Sequence, residues 1–259
     1  MERPSASSLV AEVLRSAFRI RRVQTPRDRA RVISHTVWLH LHPPKVPRHA
    51  VRLSFTWGAG GVSFLLFLVT VVTGAVLMLV YRPTPEHAYV DMKCLDFDVP
   101  FGMFNRNMHR WAAHAMVLVT WAHMLRVFLT GSYKPPRQFN WAVGVGLLTL
   151  TMLLSFTGYL LPWDQLSMWA VTVGTNMAGA TPLLGHEGPL ASLLGVTEET
   201  DVRAALLGGP TVGGAALLRF YVLHCVVLPL FLGAGCILHF WRVRRDGGIS
   251  GPGLGGKEG

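Results

Sequence analysis

Four long apolar stretches constrain this chain more than any other feature of its sequence. Three of them, residues 53–81, 138–163 and 220–241, contain no charged residue, and the fourth, 107–130, has an uncharged centre between Arg110 and Arg126. A helix needs roughly 20 apolar residues to cross the hydrocarbon core of a bilayer. The pattern predicts an all-α integral membrane protein, a four-helix bundle whose spans we call A, B, C and D in chain order.

Charge is scarce and unevenly distributed between the segments that join these spans. Only 15% of the residues are charged, against about 25% in average soluble domains. Residues 1–52 hold eleven Lys and Arg against three acids, and the B–C loop and the segment after span D are also basic. Because cytoplasmic loops are enriched in Lys and Arg, we expect both termini in the cytoplasm of a bacterial inner membrane. The net charge of +10 then follows from topology and lipid contact, and nucleic-acid binding is not expected.

The sequence divides into three regions. Residues 1–45 are rich in arginine, with apolar residues at helical spacing, and predict an amphipathic helix on the cytoplasmic surface. A disordered basic arm is the alternative. Residues 46–246 would form the four-helix transmembrane domain, and the glycine-rich residues 247–259 a flexible tail.

Histidines recur at matched positions in spans B and D. His109 and His123 are fourteen residues apart, and His224 and His239 are fifteen apart. Each spacing is close to four helical turns, or about 21–22 Å along the axis. Since B and D run in the same direction, His109 is expected opposite His224, and His123 opposite His239.

Paired imidazoles in a membrane indicate a haem site. Two histidines on opposite sides of one iron fill both axial positions, which is typical of an electron carrier. The pattern predicts two non-covalent b-type haems. The alternative is four unrelated histidines satisfied by hydrogen bonds between helices. His114 lies about 140° around the helix from His109 and should point elsewhere, while a zinc or copper site at the N-terminal histidines stays open as a minor alternative (His35, His40 and His42).

Glycines repeat the histidine spacing in the other two spans. Gly60 and Gly74 in span A are fourteen residues apart, as are Gly144 and Gly158 in span C. A flat porphyrin pressed against a helix requires a missing side chain. Ordinary packing of small residues between helices is the alternative explanation.

Arginines at the span ends are candidates for haem propionates, which need charge-assisted partners. Arg106 and Arg219 are expected at the outer level and Arg126 at the inner level. Topological anchoring would explain the same residues.

Several strings in residues 46–252 resemble the cytochrome b family, specifically its cytochrome b6 type. They occur in order: VTGAVLMLVYRPTPEHAY, NRNMHRW, HMLRVFLTGSYKPPR, TGYLLPWDQ, MWAVTVGTN, LLRFYVLHC and GISGP. The fifteen-residue spacing of His224 and His239 resembles the b6 type, whereas mitochondrial-type subunits have fourteen. The chain also ends after span D, like the b6 half of a split cytochrome b.

The resemblance implies the electron-transfer subunit of a bc1- or b6f-like quinol:cytochrome c or plastocyanin-type oxidoreductase. His109 and His224 would bind a low-potential outer haem, and His123 and His239 a higher-potential inner haem. Quinol would be oxidised outside and quinone reduced inside. Candidate quinone-site residues are Met168, Trp169 and Ala170 on the outer side and Arg244 and His40 on the inner side.

The family also implies partners. These are a separate subunit carrying the other half of cytochrome b with its Pro-Glu-Trp-Tyr motif, a Rieske iron–sulfur protein and a c-type cytochrome, in a dimeric complex.

Two departures from the family pattern affect these expectations. Gly58 stands where cytochrome b6 has a cysteine that tethers an extra haem, so no covalent third haem is expected. The C–D loop carries about a dozen extra residues, around 196–207.

Two other functions remain open on the sequence. One is a cytochrome b membrane anchor of a hydrogenase or formate dehydrogenase, against which the PWDQ and YRPT strings argue. The other is a transporter or channel, which would contain no haem.

Overall fold

The computed structural model describes residues 25–26, 48 and 52–249, and no strand lies among them. We number the α-helices of this part in chain order. Their bounds are α1 Leu53–Thr56, α2 Ala59–Met78, α3 Ala88–Phe97, α4 Gly102–Leu129, α5 Gln138–Tyr159, α6 Gln165–Gly179, α7 Val202–Leu207, α8 Gly214–Val222 and α9 Leu228–Arg245. A 3₁₀ turn spans Ala191–Leu194, and a π-helical turn at Leu223–Val227 joins α8 to α9.

Four of these elements are long and apolar enough to cross a membrane, and they confirm the four predicted spans. They are α2, α4, α5 and the continuous helix from Gly214 to Arg245. Large apolar side chains on them face outward: Leu118 is 71% exposed and Leu230 is 69% exposed. Such surfaces would be unfavourable in water but suit contact with lipid. The protein is therefore an all-helical integral membrane protein.

The first span begins later than its apolar sequence suggests. Trp57 and Gly58 both adopt left-handed backbone, with φ of 56° and 64°, and separate the short α1 from α2. Left-handed residues end a regular helix. The stretch 53–81 is therefore two helices and a following loop.

The last span contains a local change of helix type. The amide of Leu228 donates to the carbonyl of Leu223, five residues back, which defines the π turn. His224 lies inside this turn. A π turn holds one more residue than the α-helical turn it replaces, so the spacing of fifteen between His224 and His239 has the angular phase of a spacing of fourteen.

The described chain divides into two compact units, and each long helix contributes to both. Unit 1 comprises Met1–Leu65, Met116–Leu150 and Phe231–Gly259. Inside it, Phe64 and Phe240 pack edge to face with ring centroids 5.1 Å apart. Thr120 also reaches Ser63 through a long 3.4 Å hydroxyl contact.

Unit 2 comprises Leu66–Ala115 and Thr151–Leu230 and contains an apolar core. The buried core residues are Tyr81, Ala88, Met92, Leu95, Leu160, Val171, Leu207, Ala216, Leu217 and Phe220. The Tyr81 hydroxyl donates to the Leu161 carbonyl at 2.6 Å, and burial raises the pKa of this hydroxyl well above its usual value. Nearby, Arg82 donates to the buried Asp91 carboxylate at 2.6 Å and lowers the pKa of that carboxyl.

The extra residues of the C–D connection are folded into unit 2. The Asp201 carboxylate accepts from the Ala204 amide at 2.7 Å and caps α7, while Leu207 at the other end of α7 is in the core. His186 lies 2.6 Å from Asp201, whose side chain is fully buried. Their hydrogen bond raises the pKa of His186 and helps to lower that of Asp201.

The predicted surface helix at 1–45 lies outside the described residues, apart from Thr25 and Pro26. The predicted tail is described only as far as residue 249. Both assignments stay predictions.

Candidate functional site

The structure brings His109 and His224 together within unit 2, and we call them the first pair. His109 comes from α4 and His224 from the π turn. Their ring centroids are 6.1 Å apart and the ring planes meet at 76°. Both residues are half-buried.

The structure brings His123 and His239 together within unit 1, and we call them the second pair. His123 comes from α4 and His239 from α9. Their centroids are 6.4 Å apart and the planes meet at 77°. The two pairs therefore repeat nearly the same ring geometry.

These separations fit two axial ligands of one metal ion. With a metal–imidazole bond of about 2.0 Å and about 1.1 Å from that nitrogen to the ring centre, the two centroids would be about 6.2 Å apart. Among the described residues, no group of three or more His, Cys, Asp or Glu could hold a metal. Each pair thus offers two ligands only, which suits an iron whose four equatorial ligands belong to a porphyrin.

Each predicted glycine faces one of these imidazoles. A methyl group added at Gly74 would lie 3.1 Å from Cε1 of His109, and one at Gly158 would lie 2.6 Å from Cε1 of His224. At Gly60 the distance to His123 would be 3.2 Å, and at Gly144 the distance to His239 would be 3.7 Å. The glycines therefore make room for the histidine rings themselves, an arrangement that the repeat of fourteen did not specify.

The outward nitrogens of the first pair have hydrogen-bond partners. Nδ1 of His109 lies 3.0 Å from the Thr73 hydroxyl, and Nδ1 of His224 lies 3.0 Å from the Leu154 carbonyl. The Thr157 hydroxyl is 3.4 Å from the same His224 nitrogen. An acceptor at Nδ1 holds the proton there and leaves Nε2 free to bind a metal.

The second pair differs at the same atoms. Nδ1 of His239 is buried and has no hydrogen-bond partner of ordinary geometry among the described residues. The His123 ring borders a cavity of about 320 Å³ that also reaches His239.

The predicted arginines have different surroundings. Arg106 forms an ion pair with Asp96, and Arg219 donates to the Ala204 carbonyl at 3.2 Å and so contacts α7. Arg126 is only 5% exposed, donates to the Phe55 carbonyl at 3.1 Å and stacks on the Phe55 ring. One Arg126 nitrogen, Nη2, is buried and lacks a partner among the described residues.

Sequence reasoning missed two polar residues of the cavity beside the second pair. Nε of Arg137 and Oδ1 of Asn140 are buried there and have no partner among the described residues. Unpaired buried polar atoms are rare and indicate a ligand or an ordered water. The KPPR string contained Arg137, but no periodic pattern links it to His123. Gly58 also lines this cavity.

The quinone-site candidates are scattered. Trp169 is 62% exposed and lines an open groove of about 610 Å³ with Tyr89, Trp163 and Asp164. Met168 packs against the core of unit 2, and Ala170 is half-buried on the same helix. Arg244 is largely buried near the end of α9, and His40 lies outside the described residues.

His114 belongs to neither pair. Its Nδ1 donates to the Arg110 carbonyl of its own helix at 2.7 Å. The ring stays exposed beside Trp111, as the angular spacing predicted.

Comparison with known proteins gives one consistent result. The sequence model of the cytochrome b/b6/petB family matches residues 46–247. The chain is 41% identical to cytochrome b6 of Heliobacterium mobile over 211 residues, which is 82% of this chain and 90% of the relative. It is 39% identical to cytochrome b6 of Porphyra purpurea, covering 80% of this chain and 88% of the relative.

A solved structure is also similar. It is a chain of a hyperthermophilic respiratory Complex III, with a TM-score of 0.68 and 29% identity. The match covers 76% of this chain and 49% of that one, so the present chain corresponds to about half of its length.

Proposed function

This chain belongs to the cytochrome b/b6 family, and we propose that it is the two-haem subunit of a bc1- or b6f-like quinol:cytochrome c oxidoreductase. Membership establishes an electron-transfer cytochrome b subunit that binds b-type haem. The proposal adds the number of haems, their ligands and the substrates.

The observation that carries the proposal is the repetition of one ring geometry in two places. His109 with His224, and His123 with His239, each present two imidazoles at a separation that suits a single iron. Each pair would hold one haem, which would supply reversible one-electron transfer when bound.

The chain's own residues hold and orient these groups. The four glycines leave space for the imidazole rings, and the acceptors at Nδ1 of the first pair fix which nitrogen faces the metal. Arg126 and Arg137 would bind propionates at the second pair, because both line the cavity there and each keeps a buried nitrogen without a partner among the described residues. Arg106 would do so at the first pair with the donors that Asp96 leaves available.

Quinone binding completes the proposal. The groove bordered by Trp169 would accept quinol near the first pair, since it combines aromatic walls with the Asp164 carboxylate. Arg244, near the end of α9, would lie at the site where quinone is reduced on the inner side. Because the termini and the B–C loop are basic, we expect the second pair towards the cytoplasm of a bacterial inner membrane.

The partners follow from the family. We expect a subunit with the remaining half of cytochrome b, a Rieske protein and a c-type cytochrome, in a dimeric complex. The relatives are cytochromes b6 and a Complex III chain. They favour this assembly over a hydrogenase or formate dehydrogenase anchor.

A quantitative haem spectrum tests the proposal. The purified complex, reduced with dithionite and analysed as the pyridine haemochrome, should contain two b-type haems per chain. A preparation with one haem, or with none, would contradict it. Quinol:cytochrome c activity that is lost on Trp169→Ala, with both haems retained, would support the assignment of quinol to the groove.

A further inference from the structure

The residue that precedes each ring-facing glycine differs between the two pairs. Thr73 precedes Gly74 and Thr157 precedes Gly158, both beside the first pair. At the second pair the corresponding residues are Ala59 and Val143. A hydroxyl group therefore accompanies each glycine of the first pair and neither glycine of the second.

The hydrogen bonds of Thr73 fix the direction of its contact with His109. The Thr73 side chain is 5% exposed, and its hydroxyl donates to the Val69 carbonyl at 2.6 Å. A hydroxyl has one proton to donate. In its 3.0 Å contact with Nδ1 of His109, the Thr73 oxygen is therefore the acceptor.

A group that accepts the Nδ1 proton affects the electronic properties of the His109 imidazole as well as its orientation. A group that accepts from the outer N–H of a metal-bound imidazole fixes the tautomer and raises the basicity of the ring. A more basic axial ligand stabilises the oxidised iron over the reduced iron, and hydrogen bonding around the ligand is one of the ways a protein sets a haem potential.

We propose that Thr73 is a positioning residue that lowers the reduction potential of the haem held by His109 and His224. The inference rests on the proposed function, because it requires an iron at the first pair. It concerns a hydroxyl group that acts through His109, and Thr73 itself touches neither iron nor substrate.

One other group is a candidate acceptor for the Nδ1 proton of His109. The backbone carbonyl of Thr70 also faces the His109 ring. If that carbonyl alone held the Nδ1 proton, removal of the Thr73 hydroxyl would leave the potential unchanged. The test therefore depends on whether the hydroxyl itself contributes.

The experiment is a redox titration of both b haems in the intact complex carrying Thr73→Val. Valine keeps the shape of threonine and removes the acceptor. The reduction equilibrium of the first-pair haem should shift by about threefold to tenfold towards the reduced form, which is about 28–59 mV upward for a one-electron couple. The second-pair haem should stay within error, and Thr73→Ser should restore the original value.

Thr149→Val is the matched control. Like Thr73, Thr149 lies in a span helix and its hydroxyl donates to the carbonyl four residues back, that of Val145. Thr149, however, is exposed on the surface of the bundle. This variant should move neither potential. If Thr73→Val does not assemble, Thr73→Ala compared with Thr73→Ser makes the same measurement.

A reciprocal variant tests the idea in the opposite direction. Val143→Thr would place a hydroxyl on the residue before Gly144, as Thr157 precedes Gly158 beside His224, and should lower the second-pair potential only. Unchanged first-pair potentials in Thr73→Val, or equal shifts of both haems, would overturn the proposal. Absence of a haem at the first pair in the unaltered protein would instead defeat the proposed function.

Discussion

The first and second histidine pairs hold their rings alike but differ in the polar groups around them. The centroid separations are 6.1 and 6.4 Å and the interplanar angles are 76° and 77°. At the first pair both Nδ1 atoms have acceptors, and Arg106 and Arg219 are engaged by protein groups. At the second pair, Nη2 of Arg126 and Nε of Arg137 lack partners among the described residues, and Nδ1 of His239 makes no hydrogen bond of ordinary geometry there.

This contrast separates two properties of a cofactor site. Ring geometry depends on helix phase and on a glycine opposite each histidine, and both pairs share these features. The hydrogen bonding of buried polar groups depends on loops and neighbouring side chains. Only at the first pair do these groups have their partners. The polar groups of the first pair are thus satisfied by other groups of the protein. The second pair keeps polar groups available for a ligand with oxygen atoms.

The largest expected effect comes from removing one ligand of each pair. His123→Leu should abolish the second-pair haem and leave the first-pair haem at least partly assembled, and His109→Leu should do the reverse, because each iron would lose an axial ligand. Low-temperature spectra of the reduced complexes would measure this. If both reduced bands persisted in either variant, the pairing would be wrong.

Replacing a ring-facing glycine by alanine should affect haem content differently at the two pairs, because the added methyl group has less room at Gly158 than at Gly144. A methyl group at Gly158 would come within 2.6 Å of His224, closer than ordinary contact, whereas one at Gly144 would be 3.7 Å from His239. We expect Gly158→Ala to lose most of the first-pair haem and Gly144→Ala to retain most of the second-pair haem.

Gly146→Ala is the control for that comparison, since a methyl group there has no atom of the described chain within 4 Å. Haem content per chain, determined by haemochrome assay on purified complexes, is the measurement. Equal losses at Gly158 and Gly144 would show that contact with the porphyrin, and not with the imidazole, sets the tolerance.

Arg126 at the second pair should contribute more to haem retention than Arg106 at the first pair. A charge-assisted hydrogen bond is worth about 1.5–3 kcal/mol, so Arg126→Gln should weaken haem retention at the second pair by roughly 10- to 100-fold. Arg106→Gln should cost at most about 1 kcal/mol, because this arginine already forms a partly exposed ion pair with Asp96. Haem transfer to apomyoglobin would measure both, and a greater loss from Arg106→Gln would reverse our assignment.

The smallest effect concerns the C–D connection of unit 2. The carboxylate of Asp201 raises the pKa of His186, so the stabilisation from their ion pair is complete below the ordinary histidine pKa. It is lost as the pH rises through the raised value. Because the pKa of Asp201 is lowered, its contribution is present above the ordinary aspartate pKa and is lost only when the pH falls through that lowered value.

Hydrogen exchange of the α7 amides, compared at each pH with His186→Gln, would detect this. Protection in the unaltered protein should exceed that of the variant in mildly acidic buffer, and the two should converge as the pH rises. Identical protection at every pH would show that the Asp201 cap alone holds α7.

The sequence predicted those features that depend on local periodicity. Span length, histidine phase and glycine spacing are all properties of one helix at a time, and the four spans were confirmed. The break at Trp57–Gly58 was missed because two left-handed residues can interrupt an apolar run without changing its hydropathy.

The surroundings of the arginines could not be predicted for a different reason. The partners of Arg106 and Arg219, Asp96 and the Ala204 carbonyl, come from other elements whose approach no spacing rule encodes. The cavity role of Asn140 was missed likewise, since a single asparagine at the start of a span carries no periodic signal.

The π turn around His224 has a wider consequence for comparing proteins of this kind. An added residue in the last span is absorbed as a local widening of one turn, so the rings at 224 and 239 keep the orientation of a shorter, regular helix. The number of residues between two ligands therefore does not by itself give the relative orientation of their rings, because a π turn changes the angular register. An alignment that opens its gap inside Leu223–Val227 would match equivalent side chains, and one that opens it elsewhere would misassign every position between.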